Sequence, residues 1–153
     1  MLYFYSDSPK KTKKLGVILG NTIIKIKKRE KALVVGLEGN LGSGKTTFIQ
    51  GLASGLGIKE KIISPTFVIL RKFRVHTFTF KTFYHFDCYR LKNPKEILDL
   101  DFKKAVSDSQ NILVIEWVDR ISKILPRDTL MLKFGIINQN TREIEFGIMR
   151  KVR

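Results

Sequence analysis

The chain has 153 residues, 43% of them hydrophobic and 28% charged, with 29 Lys+Arg against 14 Asp+Glu and a formal net charge of +15. That balance is ordinary for a folded soluble protein, and the length allows one domain with a buried core, which excludes disordered and fibrous classes. Cys88 is the single cysteine, so an intrachain disulfide is excluded and a reducing compartment fits. The apolar start Met1-Leu2-Tyr3-Phe4-Tyr5 lacks a basic flank and is too short for a signal peptide. No apolar run approaches the roughly 18 residues of a membrane span. The expectation is a cytoplasmic protein without membrane contact. Excess positive charge attracts polyanions such as RNA or ATP at long range, but a lysine-rich background gives the same total.

In chain order, residues 2–5 read as a short edge strand. Ser8-Pro9 opens a helix, with Ser as N-cap and Pro at the first helical position. Leu15, Ile18 and Leu19 form its apolar side, and Gly20-Asn21 is expected to close it. Residues 25–31 form a basic connection, read as a solvated face. It leads into Ala32-Leu33-Val34-Val35-Gly36-Leu37, a β-branched run expected as a buried strand.

Directly after it comes Gly39-Asn40-Leu41-Gly42-Ser43-Gly44-Lys45-Thr46, followed by Thr47. Next, Phe48, Ile49, Leu52 and Leu56 recur at helical spacing until Gly55-Leu56-Gly57 stops the helix. Strand, glycine-rich turn and helix in that order are the context in which Gly-x-x-x-x-Gly-Lys-Thr becomes a phosphate-binding loop, or P-loop. The glycines allow positive φ and close backbone approach, so the N–H groups of 39–47 point inward as an anion nest at a helix N-terminus. Lys45 adds a charge for β- and γ-phosphate oxygens, and the Thr46 hydroxyl is placed for Mg²⁺. These residues imply a bound nucleoside triphosphate with its magnesium.

Beyond the loop, Ser64-Pro65-Thr66-Phe67 precedes a predicted strand over 68–73, with an alternating, exposed hairpin partner over 75–83. That partner runs on into Tyr84-His85-Phe86-Asp87-Cys88-Tyr89-Arg90-Leu91. Asn93-Pro94 opens a short acidic helix through Leu98, and 102–106 make another turn or two. Ile112-Leu113-Val114-Ile115 is a buried parallel-type strand ending in Glu116-Trp117. A helical piece over 121–125 is closed by Pro126, and strands over 130–137 and 143–148 pair around Asn138-Gln139-Asn140. No repeat, low-complexity tract or linker interrupts 1–153, which is read as a single domain.

Mg²⁺ takes octahedral oxygen ligands, usually one or two carboxylates with phosphate oxygens and water. Glu116 and Asp87 both close strand-like segments and could reach the phosphates from the C-terminal edge of a parallel sheet. His85 reads as a packing or hydrogen-bonding histidine, His76 has no role, and Cys88 reads as buried and inert.

With these residues in hand, the chain resembles the bacterial TsaE (YjeE) family, the small ATPase of threonylcarbamoyladenosine (t6A) formation in tRNA. The resemblance is carried by residues 39–47, Ser64-Pro65-Thr66-Phe67, His85-Phe86-Asp87-Cys88-Tyr89-Arg90-Leu91, Glu116-Trp117 and Arg142, in that order. It implies that Thr46 and Glu116 ligate Mg²⁺, that Thr66 lies in a switch-like segment, and that Asp87 orients or activates the attacking water. Thr12 and Arg142 are implied near the adenine. It also implies TsaD-like and TsaB-like partners, whose complex ATP hydrolysis resets, with direct or indirect tRNA contact. Two residues depart from the pattern: Asp101 stands where relatives commonly carry Gly, and Cys88 replaces a usual Leu. The fold expected is α/β, a P-loop NTPase-like three-layer sandwich with a mixed, largely parallel central sheet and antiparallel edge strands. Two other readings share the loop: a small-molecule kinase, and a nucleotide-sensing scaffold without productive turnover.

Overall fold

The structure is a computed structural model that describes residues 1–63 and 68–149. Thr66 and its neighbours Ser64, Pro65 and Phe67 lie outside the described residues, so the switch-like role expected of Thr66 has no structural account. Strand β2 (Leu33–Gly39) runs at the centre of a seven-stranded sheet of order β1-β7-β6-β2-β5-β4-β3. It is flanked in parallel by β5 (Asn111–Glu116) and β6 (Leu130–Ile136), and β4 (Thr82–Asp87) runs parallel beyond β5. Antiparallel strands close both edges: β3 (Leu70–Arg74) on β4, and β7 (Arg142–Ile148) then β1 (Leu2–Ser6) beyond β6.

Why the central strands are apolar throughout follows from the layers. Successive side chains of a strand point to opposite faces, and here both faces are covered. Val35, Leu37, Ile112 and Val114 enter one core with Phe48, Ile49 and Leu52 of α2 (Lys45–Gly55) and Ile23 of α1 (Pro9–Ile24). Val34, Leu113 and Ile115 enter a second core. There they meet α3 (Lys95–Leu98), α4 (Phe102–Ser107) and a 3₁₀ segment (Val118–Ile124) through Ile97, Phe102 and Val118. This is the mixed, three-layer α/β arrangement expected.

Several local expectations need correction. Helix α1 does not stop at Gly20 but continues to Ile24, because Ile23 is buried against the first core. Gly20 instead serves contact: a Cβ there would lie 2.6 Å from the Leu52 carbonyl oxygen and 2.9 Å from Gly55 Cα. Residues 75–81 are not a strand. Thr77 folds them into a turn, its Oγ1 accepting from Phe80 N at 2.8 Å, so the ladder partner of β3 starts only at Thr82. The segment after Trp117 coils at once, from Val118, and it does so as 3₁₀ turns.

Asp101 has φ 58 and ψ 31, the left-handed region, with no side-chain cap on α4. Glycine suits that conformation, and an Asp there carries backbone strain. Asp101→Gly is expected to stabilise the chain by about 0.5–1 kcal/mol, read as an upward shift of the urea midpoint.

Candidate nucleotide site

The site is assembled at the C-terminal edge of the parallel strands. Chain leaving β2 turns through Gly39 (φ +151), Gly42 (φ +77) and Gly44 (φ +99) before α2 begins. At Gly39 space as well as φ demands glycine, since a Cβ would stand 2.6 Å from Phe134 O; at Gly42 nothing lies within 4 Å, so φ alone demands it. Gly44 caps α2 with no side-chain hydrogen bond, leaving the first helical amides for a ligand.

Lys45 is buried, and its Nζ donates to the loop's own carbonyls, Gly39 O at 2.6 Å and Asn40 O at 3.0 Å. The ammonium also lies 4.4 Å from the centroid of the Trp117 ring. Burial holds the Lys45 amine below the ordinary lysine range, opposed by the carboxylates of Glu116, Asp87 and Asp119. An anionic phosphate tail would supply the counter-charge this buried ammonium is short of.

Opposite the loop, the ends of β4 and β5 present carboxylates side by side, Asp87 and Glu116 being register partners. Glu116 is buried, and each of its oxygens is engaged: Oε1 accepts from Thr46 Oγ1 at 3.1 Å, and Oε2 lies 2.8 Å from His85 Nε2. Asp87 Oδ1 accepts from Tyr89 N at 3.0 Å. After β5 the chain turns sharply, with Trp117 at φ 56 and ψ 44, rare for a bulky residue. That turn lays the indole against Tyr89, ring centroids 5.0 Å apart, while Arg120 donates to Leu91 O behind them.

Between loop and carboxylates lies a cavity of about 590 Å³, within the range of small-ligand sites. Gly42, Ser43, Gly44, Lys45, Thr46, Thr47 and Leu41 line one wall; Asp87, Arg90, Glu116, Trp117, Tyr89, Val68 and Ile69 line the other. Gly39 and Asn40 belong to the loop but do not line the cavity, and Thr12 and Arg142 touch the loop instead of the cavity. Thr12 is buried, bonded to Ser6 Oγ at 2.8 Å, and its Cγ2 would lie 3.5 Å from a Cβ on Gly44. Arg142 Nη2 donates to Gly42 O at 3.3 Å, with Nη1 on Asn138 O at 2.9 Å.

Do these residues suit a magnesium ion? Among the described residues no cluster of three or more His, Cys, Asp or Glu could hold a metal unaided. Magnesium at a phosphate site is not held that way; phosphate oxygens and water fill most of the octahedron. With Mg–O near 2.1 Å, adjacent ligands of an octahedron stand about 3 Å apart. Thr46 Oγ1 and Glu116 Oε1, at 3.1 Å, have that spacing, and both atoms are oxygens. The pair fits.

Residues 6–144 match the model of the family described as "Threonylcarbamoyl adenosine biosynthesis protein TsaE". The chain belongs to the TsaE family. It is 35% identical over 139 residues to the TsaE protein of Treponema pallidum, covering 91% of this chain and 95% of that one. It is 37% identical over 113 residues to that of Bacillus subtilis, covering 74% and 68%. Among solved structures, Bacillus subtilis YdiB superposes with a TM-score of 0.71 at 28% identity, covering 95% of this chain and 83% of that one. No helix among the described residues of this TsaE protein is long and apolar enough to cross a membrane.

Sequence reasoning placed His85 only as a packing or hydrogen-bonding residue; it could not name Glu116 as the partner. The available signal was its position two residues before Asp87 on one strand, which puts both on one face. Cys88 is buried beside Asp87, and burial pushes its thiol up to about 12. It is expected to resist a thiol-disulfide reagent in the folded protein and to react fully in denaturant, read by absorbance.

Proposed function

We propose that this chain is a Mg²⁺-dependent ATPase of threonylcarbamoyladenosine biosynthesis, hydrolysing ATP to reset a complex of TsaD-like and TsaB-like partners. The observation that carries the reading is the chain of contacts His85–Glu116–Thr46, set against a glycine loop at a spacing suited to one magnesium ion.

On this reading the loop amides and Lys45 enclose the phosphate tail, Lys45 exchanging the Gly39 and Asn40 carbonyls for β- and γ-oxygens. Thr46 and Glu116 hold Mg²⁺, which when bound neutralises charge on the β- and γ-phosphates. Thr12 and Arg142, which brace the loop, are assigned to the adenine end. Asp87 aligns the attacking water, and Trp117 and Tyr89 close one side against bulk solvent. Phosphoryl transfer asks little covalent work of a protein, so the rate comes from positioning and electrostatics. An isolated subunit lacking an arginine from a partner should be slow.

The test is phosphate release from ATP with no acceptor added. Slow, magnesium-dependent release of free phosphate, accelerated at least about tenfold by a TsaD-like and TsaB-like pair, is expected. Phosphate transfer only to an added alcohol or nucleoside would favour a kinase. ATP binding without release, with or without partners, would favour a scaffold.

A further inference from the structure

The edge of the sheet away from the nucleotide cavity has no part in the reading above. Connections entering the four parallel strands converge there: 25–32 before β2, 75–81 before β4, 108–110 before β5 and 125–129 before β6. The first of these carries Lys25, Lys27, Lys28, Arg29 and Lys31 against one acid, Glu30. All four lysines are exposed. Among the described residues the ion pair at this edge is Arg29 with Asp128, at 3.0 Å. Residues 28–31 and 125–128 face each other across an open cleft of about 870 Å³, to which Arg127 adds another exposed cation.

A second observation concerns the 75–81 connection. Thr79 Oγ1 donates to Ile26 O at 2.5 Å, tying this turn to the basic stretch. At its tip Phe78 is 86% exposed, and Arg74 and Lys81 on either side are exposed too. An aromatic ring held in water beside clustered cations costs solvation and repulsion alike. A ligand with both negative charge and flat π-faces relieves both.

We propose that this edge binds the phosphate backbone of RNA, with a base stacked on Phe78. Phosphates would neutralise the cations of the cleft and release counterions, and the ring would take any base, since every base has a π-face. A membrane surface is less well matched: among the described residues the apolar side chains exposed near this edge, Phe78, Ile24 and Ile148, stand on separate elements, where an interfacial segment inserts a contiguous row. The choice of RNA as the polyanion rests on the threonylcarbamoyladenosine reading; the clustering of charge does not. Since the cleft lies at the opposite edge from the P-loop, RNA and nucleotide can be bound at once.

The experiment measures binding of the full chain to an unmodified tRNA transcript by fluorescence anisotropy, between about 50 and 200 mM salt. The triple variant Lys27→Glu, Lys28→Glu, Lys31→Glu is expected to lose at least about thirtyfold in affinity and two to three units of salt slope. Phe78→Ala is expected to lose about five- to tenfold with the slope unchanged. A triple reversal of Lys10, Lys13 and Lys14 on α1, at the P-loop end, should change affinity less than about threefold. An equal loss from the α1 reversal would overturn the proposal, showing charge without a site. So would binding to phosphatidylserine vesicles with none to tRNA. A fluorescent ATP analogue read in parallel keeps the two claims apart: failure to bind it would sink the ATPase reading, whatever the RNA result.

Discussion

Glu116→Gln is expected to keep the fold and the nucleotide while losing at least about a hundredfold in ATP turnover. The substitution is chosen because it separates geometry from charge. Glutamine is isosteric, its amide oxygen can still accept from Thr46 Oγ1, and its amide nitrogen can face His85 Nε2 if the ring presents a lone pair there. Only the negative charge is lost. On the proposed reading that charge is what makes the Oε1 position a strong magnesium ligand, and a neutral amide oxygen there is a weaker one, so the magnesium dependence of binding should weaken while ATP affinity without metal holds or rises. Buried carboxylates exist at a cost that only a compensating partner offsets. Removing this charge should therefore leave thermal stability within a few degrees. Turnover assays over a magnesium titration, with tryptophan fluorescence from Trp117 reporting occupancy, check this. Wild-type turnover in the variant would remove Glu116 from the mechanism.

The largest effect on stability is expected from a single methyl group. Gly51→Ala should destabilise the chain by about 3 kcal/mol, where the same change on an exposed helix surface gains about 1 kcal/mol. Gly16 and Gly20 on α1 face Gly51 and Gly55 on α2, and the helices cross with backbone against backbone. A Cβ on Gly51 would run into the carbonyl oxygen of Lys13; one on Gly16 would meet the carbonyl oxygen of Phe48. These neighbours are main chain and cannot rotate away. The helices must part, and α2 must pull Phe48 and Leu52 out of a core in which both are fully buried. The melting temperature should fall by about 6–12 °C. Because α1 also sets Thr12 against Gly44, nucleotide affinity should fall as well. A Gly51→Ala protein more stable than the parent would mean that the helices are not held this closely.

How much of this was legible beforehand depends on how local each feature is. The Ser8 cap and Pro9 start of α1 were readable because capping is decided within one turn. Its end was not: Gly20 looks like a stop signal, and only the neighbouring α2 shows that the missing side chain makes room for another helix. Likewise the alternation over 75–83 suggested a strand, but Thr77 closed a turn that no periodicity records. The two GxxxG spacings, Gly16 with Gly20 and Gly51 with Gly55, are visible in the sequence, but nothing in it says which helices meet.

What the sequence determined by itself is the glycine loop between β2 and α2. Eight consecutive residues prescribe the φ angles, the amide nest and the position of Lys45, because all of these follow from local backbone sterics. The tertiary structure alone decided the opposing wall. Thr46 and Glu116 are 70 positions apart and His85 is 31 from Glu116, yet parallel pairing of β2, β5 and β4 brings them within hydrogen-bond reach. Which strand lies beside which is fixed by burying two apolar faces together, a property of the whole sheet that no short stretch carries.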